Sequence, residues 1–144
     1  MIKAFDPSHL DLIDPLDWFL EDVNIRQNIL DINGAPGCYL NSVFSLRGDC
    51  VAVIGGLANG RALNVWAYVS KSVEKYPILY HKALRDQINY WIEELRLIRV
   101  QSVVLRDNYR AINQHVSLGF VIEGVMRKSS YSGLDQVLLA RVID

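Results

Sequence analysis

The residues best suited to binding chemistry form a cluster of bases in the middle of the chain. Lys71, Lys75, Lys82 and Arg85 fall within a stretch, 71–85, that holds no glycine. Their side chains offer positive charge to phosphate groups, and a helix start predicted at Pro77 adds the partial positive charge of its backbone amides. The cluster therefore predicts an anion site, and the alternative is an ordinary solvated helix start.

Histidines and cysteines are the other groups with chemistry to offer. His9, His81 and His115 lie far apart with no second ligand at helical spacing, and Cys38 and Cys50 lack a CxxC spacing. We therefore expect neither a metal site nor a structural disulfide. The glycine-rich phosphate and dinucleotide motifs and the Gly-x-Ser-x-Gly motif of serine hydrolases are also missing from the sequence.

Length and composition set the class of protein. The chain has 144 residues, of which 51% are apolar and 22% charged, so we expect one globular domain spanning 1–144. No apolar run approaches the ~18–20 residues of a membrane span, and the net charge of −1 argues against a nucleic-acid binder. The first residues turn acidic too early for a secretory signal, which favours a cytoplasmic protein with no membrane partner.

Charge is unevenly distributed along the chain. Residues 1–31 hold seven acids and two bases, whereas the rest holds thirteen bases and nine acids. A basic second part suits an anionic ligand. The alternative is that the acids only keep one helix face solvated.

The elements that must position these groups follow from the hydrophobic pattern. A short strand is predicted over 2–6 and a helix over 15–30, where Leu16, Phe19, Leu20, Val23 and Leu30 approximate a 3.6-residue period. Three strands follow over 39–47, 49–57 and 62–70, with a hairpin turn at Asn59-Gly60. Gly55-Gly56 inside the second of them predicts a bulge or a close backbone approach.

The second half alternates helices and strands. A helix is predicted over 77–98, because one apolar stripe runs along it at Leu84, Ile88, Trp91, Ile92 and Leu95. A short strand over 102–105 precedes a second helix over 108–118, with Gly119 just beyond its end. Strands over 120–128 and 136–143 complete the order β, helical region, βββ, α, β, α, ββ.

This order and one motif resemble the GNAT superfamily of acyl-coenzyme-A-dependent N-acyltransferases over essentially the whole chain. Many members show Asn, a small residue at +3, an aromatic at +7 and Gly-Phe at +11 and +12. The matching positions here are Asn108, Ala111, His115, Gly119 and Phe120. The resemblance implies an α/β GNAT-like fold, a mixed central sheet of about six or seven strands flanked by helices.

The resemblance also implies a reaction and its residues. The function would be acetyl transfer from acetyl-CoA to an unidentified amine, with His115 in the place of the family's tyrosine acid and Glu74 as one candidate base. Asn108 would bind near the pantetheine arm, although an asparagine at a helix start is equally suited to capping it. The strand residues expected to pair with that arm are Ala67, Tyr68 and Val69.

The stretch before the long helix departs from the family. Its loop there normally carries glycines whose bare amides cradle the pyrophosphate, whereas Leu79 and His81 stand at the corresponding places. Pro77 also removes one backbone donor. We therefore expect weak coenzyme-A binding, with Lys71, Lys75 and Lys82 supplying charge in place of amides.

The same stretch suggests a second function. Val73, Lys75 and the pair Tyr76-Pro77 resemble the GNAT-like proteins of tailed bacteriophages, a group similar to the internal virion protein A family. That resemblance implies a catalytically inactive protein that acts through contacts with a phage or host protein, in virion assembly or on a host factor. Its location would then be the host cytoplasm or the virion.

Overall fold

The computed structural model describes residues 1–20 and 24–144, and within them one mixed sheet organises the chain. The strands are β1 (Ile2–Ala4), β2 (Cys38–Phe44), β3 (Cys50–Asn59), β4 (Ala62–Val69), β5 (Arg99–Leu105), β6 (Val121–Met126) and β7 (Gln136–Val142). The helices are α1 (Ile25–Ile32), α2 (Pro77–Glu94) and α3 (Tyr109–Ser117), and three 3₁₀ turns span Pro7–Leu12, Asp17–Phe19 and Lys71–Lys75. The sheet order is β1-β2-β3-β4-β5-β7-β6. Every neighbouring pair is antiparallel except β4 and β5, so the predicted mixed α/β sheet of six or seven strands is confirmed.

Helices cover the two faces of this sheet. On one face, α2 and α3 pack on alternate residues of β4, including Leu63, Val65 and Val69. On the other face, the 3₁₀ turn at Pro7–Leu12 and α1 cover Tyr68 and its neighbours. The alternation of side chains along a strand explains why one strand serves both cores. None of the helices in the described ranges is long and apolar enough to cross a bilayer.

Local turn chemistry accounts for two confirmed predictions. Asn59 pairs with Ala62 across a two-residue connection in which Gly60 has φ = +61°, as the hairpin signal predicts. Gly119, with φ = +92°, lies just past the end of α3, where the left-handed conformation favours glycine. Both turns direct the following strand back into the sheet.

The prediction of one continuous helix over 15–30 is wrong. Asp17–Phe19 forms only a 3₁₀ turn, and the α-helix is the shorter Ile25–Ile32; Val23 lies outside the described residues. The backbone before the turn is extended instead, because Pro15 forms an antiparallel bridge with Ser70 at the end of β4. Leu16 and Phe19 still pack on the core, so the apolar pattern reports burial rather than a continuous helix.

Gly55 shows neither the bulge nor the close backbone approach predicted for it, because a side chain packs on it instead. The β3–β4 register runs without a shift through Gly55, which pairs with Trp66. A Cβ atom at Gly55 would lie 2.0 Å from Cζ2 of the Trp66 indole. Only glycine lets the indole lie flat on the strand at this point.

We therefore expect Gly55→Ala to lower the free energy of unfolding by about 1–3 kcal/mol, the usual cost of overpacking a tight site. The indole of Trp66 must leave its position to admit the methyl group, so tryptophan fluorescence should change as well. Urea denaturation and emission spectra measure the two effects. Gly124→Ala is the matched control, because a Cβ there meets nothing within 4 Å. Equal stability of the two variants would contradict the packing of Trp66 on Gly55.

Candidate active site

The parallel strands β4 and β5 separate to open a cleft. Their ladder contains only three pairs, from Ala62–Arg99 to Asn64–Gln101. Beyond it β4 continues to Val69 and β5 to Leu105 without pairing. The cleft that opens there has a volume of about 810 Å³. This is within the usual size range of small-molecule and cofactor sites.

The N-terminal part of the chain closes the far end of this gap. The N–H of Leu16 donates to the C=O of Val69 at 3.0 Å, and the N–H of Lys71 donates to the C=O of Asp14 at 2.7 Å. The N–H of Ser70, by contrast, points to β3 and donates to Val51. Because strand residues alternate, the odd-numbered residues of β4 direct their peptide groups into the gap.

Ala67 is the residue of β4 left in the open part of the gap. It lies beyond the last ladder pair at Asn64 and before Val69, which the N-terminal segment occupies. In the described part of the chain no strand lies beside Ala67 on that side. Its N–H and C=O are therefore placed to pair with an extended ligand.

The walls of the cleft are mostly aliphatic, and aromatic and charged side chains are set among them. Aromatic residues contribute from four separate parts of the chain, at Trp18 and Phe19, Trp66, Tyr80 and Tyr131. Tyr80 is buried, and its burial raises the pKa of the phenol, so that it stays protonated. The charged residues of the lining are Asp17, Glu74 and Arg110.

His115 faces the cleft as a neutral imidazole held at both nitrogens. Its Nδ1–H donates to the C=O of Ala111 at 2.6 Å, and its Nε2 accepts from the hydroxyl of Ser102 at 3.0 Å. Burial lowers the pKa of His115 below its ordinary value, against a smaller opposing effect of the Ala111 carbonyl. At neutral pH the imidazole is therefore uncharged, and Nε2 is its hydrogen-bond acceptor.

Asn108 caps the helix that carries His115. Its side-chain oxygen accepts from the N–H of Ala111 at 3.2 Å, at the start of α3. The side chains of Asn108 and His115 both line the cleft, as their seven-residue spacing on one helix requires. The cap thereby fixes the first turn of the helix, whose Ala111 carbonyl orients the imidazole.

The structure brings together some of the residues predicted from the sequence and separates others. Those that line the cleft are Ala67, Val69, Glu74, Asn108 and His115. Tyr68 instead packs on the opposite face of the sheet, edge-on to Phe19 with ring centroids 5.4 Å apart. Lys71, Lys75 and Lys82 are exposed residues outside the lining, and the Nζ atom of Lys71 lies 4.0 Å from the Asp17 carboxylate.

Leu79 and His81, the positions at which the resemblance implies glycines, lie in the first turns of α2. The 3₁₀ turn Lys71–Lys75 precedes this helix, which has Pro77 in its first position. The N–H of Tyr80 already donates to the C=O of Tyr76, so Ile78 and Leu79 hold the remaining amides of the first helical turn. A wide cradle of bare amides is therefore replaced by two donors at a helix start.

Two polar residues of the site were not anticipated from the sequence. Ser102 is a serine within a β-branched run, and it is only 3% exposed. A buried hydroxyl needs a hydrogen-bond partner, and that requirement is the signal that would have directed attention to it. Tyr80 gave no such signal, because an aromatic residue in a helical apolar stripe is normally a core residue.

Among the described residues, no group of three or more His, Cys, Asp or Glu side chains is placed to hold a metal ion. The cleft therefore offers proton-transfer and hydrogen-bonding groups rather than a set of metal ligands.

Comparison with known proteins identifies the fold. No protein-family model and no curated protein matches the sequence. Among solved structures, a spermidine N-acetyltransferase SpeG chimera from Vibrio cholerae and hSSAT superposes with a TM-score of 0.82 at 13% identity, over 99% of this chain and 94% of that one. A ribosomal-protein-S5-alanine acetyltransferase from Vibrio fischeri gives 0.70 at 13% identity, over 99% and 92%. A structure described as a putative acetyltransferase gives 0.78 at 21% identity, over 98% and 84%. The chain has the GNAT fold of these acetyltransferases.

Proposed function

We propose that this chain, folded as a GNAT acetyltransferase, transfers an acetyl group from acetyl-CoA to an amine. The observation that carries the proposal is the gap between β4 and β5, which opens directly beside His115 and Asn108. An extended acyl-pantetheine arm fits beside Ala67, whose N–H and C=O face the gap. Both the thioester end and the acceptor would then lie within one cleft of about 810 Å³.

The two ends of the cofactor fit this chain unequally. The acyl-pantetheine end has an unpaired strand edge at Ala67 and an amide side chain at Asn108. The pyrophosphate end has only the start of α2 and the surrounding lysines, Lys71, Lys75 and Lys82. Bound acetyl-CoA would supply a thioester, an acyl group already activated toward attack by an amine.

The residues of the cleft divide the proton transfers between them. The carboxylates of Asp17 and Glu74 favour a positively charged amine at the entrance, and Glu74 is a base for its ammonium proton. His115 is neutral before reaction, so the proton that it gives to a leaving thiolate must first be taken up at Nε2. That proton comes from the attacking amine: as the amine nitrogen gives a proton to Ser102 Oγ, the hydroxyl proton of Ser102 passes to Nε2, and the thiolate takes it from there.

The first test is calorimetric titration with acetyl-CoA at physiological salt. Because the start of α2 offers two free amides instead of a glycine cradle, we expect a dissociation constant of about 100 µM or weaker, roughly −5 kcal/mol. Substituting Lys71 and Lys75 by glutamate should weaken binding further if these lysines hold phosphates, whereas Lys128→Glu, in the turn after β6, should not. A low-micromolar dissociation constant would contradict the weak binding of acetyl-CoA expected here.

Activity is tested by the release of free thiol from acetyl-CoA in the presence of amines of different classes. A polyamine, a peptide with a free N-terminus and an aromatic amine distinguish the acceptor types that an apolar cleft with Asp17 and Glu74 in its lining admits. Amine-dependent thiol release supports the proposal, and its absence with every amine contradicts it.

The 3₁₀ turn at Lys71–Lys75 and Pro77 favour one second candidate. With no cradle for the pyrophosphate, the chain would be a catalytically inactive GNAT-fold protein that acts through protein contacts, in virion assembly or on a host factor. The same titration separates the two candidates: this one predicts no heat of binding with acetyl-CoA at any concentration reached. Saturable binding would exclude it.

A further inference from the structure

Ser102, His115 and Ala111 form a chain of hydrogen bonds that opens onto the cleft. The hydroxyl of Ser102 donates to Nε2 of His115 at 3.0 Å, and Nδ1–H donates to the Ala111 carbonyl at 2.6 Å. A hydroxyl paired with a base, and a base oriented by a third group, is the arrangement of an activated nucleophile. Both Ser102 and His115 line the cleft.

The position of Ser102 along β5 strengthens this interpretation. The β4–β5 ladder ends at Gln101, so Ser102 is the first residue of β5 beyond the last pair. It therefore lies at the apex of the gap, where the two strands begin to separate. Across the gap, Ala67 directs its free N–H toward β5, and a backbone amide so placed can donate to an oxyanion.

We propose that Ser102 is an acyl-accepting nucleophile with His115 as its base, and that the cleft hydrolyses short-chain acyl thioesters through a Ser102 acyl-enzyme. This activity is separate from the proposed acetyl transfer, because it needs neither an amine nor the nucleotide part of coenzyme A.

The reaction balances with the groups present and one water molecule. Ser102 Oγ bonds to the acyl carbon while its proton passes to Nε2 of His115. The C–S bond breaks, and the leaving thiolate takes that proton from Nε2. Water then attacks the serine ester and gives a proton to Nε2; the C–Oγ bond breaks and Oγ takes the proton back. The products are a carboxylic acid and a thiol, and the enzyme is restored.

A second serine–histidine pair in this chain provides a matched control. The hydroxyl of Ser42 donates to Nδ1 of His9 at 2.8 Å, and Ser42 is fully buried. Neither residue belongs to the lining of the cleft. If the Ser102–His115 pair were only a satisfied polar contact in the core, substitutions in the two pairs would have the same consequences.

The test uses S-acetyl-N-acetylcysteamine, an acetyl thioester without phosphates, and the full chain. We expect thiol release by the parent and a mass increase of one acetyl group on the peptide that contains Ser102. Ser102→Ala should abolish the label and lower thiol release by at least ~10²-fold, because a nucleophile and its general base act as a unit. Ser42→Ala should release thiol as the parent does.

Ser102→Cys keeps the test decisive if the alanine variant folds poorly. A thiol at this position retains a nucleophile, so the variant should carry the acetyl group as a thioester that hydroxylamine removes. Acetylation confined to lysines, or equal thiol release by the parent and a folded Ser102→Ala, would overturn the proposal. Because the probe lacks the nucleotide, its result is independent of weak coenzyme-A binding and of the amine-dependent assay.

Discussion

Replacing Trp91 with alanine is expected to lower the free energy of unfolding by about 3–5 kcal/mol, the cost of deleting a large buried aromatic side chain. Trp91 is only 2% exposed and belongs to the core between α2 and the sheet. Its indole lies 6.3 Å from the ring of Tyr39 on β2, so it joins the helix to a strand distant in sequence. Such a loss removes a large share of the roughly 5–15 kcal/mol that stabilises a domain.

The measurement is equilibrium urea denaturation of the parent and the variant, followed by far-ultraviolet circular dichroism. Tyr90→Ala is the matched control, because Tyr90 is the adjacent aromatic residue on the same helix and is 58% exposed. We expect the control to change stability by less than about 1 kcal/mol. Similar losses for the two variants would show that α2 is not docked through Trp91.

The contrast between α2 and the region before α1 shows what the sequence can predict about this fold. The stripe that includes Leu84, Ile88 and Trp91 is buried as predicted, because a helix of five turns repeats its period enough times to be unambiguous. The helix ends at Glu94, four residues before the predicted boundary. In the range 15–30, a few apolar residues mimic a helical period by chance.

What overrides helix formation in that region is a long-range contact. Leu16 and Asp14 bond to the end of β4, more than fifty residues away in sequence, and this pairing holds the backbone extended. No local pattern encodes it, because the vacant edge exists only after β4 and β5 have separated. The same pairing determines how much of the gap remains open to a ligand.

The candidate site shows the same division between local and long-range information. Asn108 and His115 are predicted by the resemblance to the GNAT motif, and the helix that carries them places both on the cleft. The prediction of Lys71, Lys75 and Lys82 as binding residues depends on their charge alone, and all three lie outside the lining of the cleft. Charge in a sequence does not reveal on which side of an element it will lie. Ser102 reaches His115 only through the packing of α3 on β5, so nothing local pairs them.

His115→Phe is expected to slow acetyl transfer by about 10²-fold or more while leaving the fold and acetyl-CoA binding in place. The phenyl ring keeps the edge contact with Phe120, whose ring centroid lies 5.3 Å from the imidazole, but it can neither accept nor donate a proton. Steady-state kinetics should therefore show the loss in kcat rather than in KM. His115→Tyr should retain much of the activity, because a phenol restores a proton donor.

The same substitution should change how stability depends on pH. Since burial lowers the pKa of His115 in the folded chain, the unfolded chain binds more protons as pH falls below about 6.5. Stability conferred by the neutral imidazole is therefore present above that pH and is lost on acidification. Denaturation midpoints at pH 7.5 and 5.5 should differ less for His115→Phe than for the parent. An unchanged difference would mean that His115 titrates normally.

Kinetics alone decide whether His115 is catalytic or only structural. If it merely packs against Phe120 and satisfies Ser102, the Phe and Tyr variants should behave alike and turn over as the parent does. Ile112→Pro is the positive control for loss, because the N–H of Ile112 donates to the C=O of Asn108 within the first turn of α3 and proline removes that bond. Breaking the helix there separates the capping asparagine from the histidine. Equal turnover in the parent, Phe and Tyr variants, with loss only in Ile112→Pro, would show that α3 is needed for its shape and that the imidazole takes no part in proton transfer.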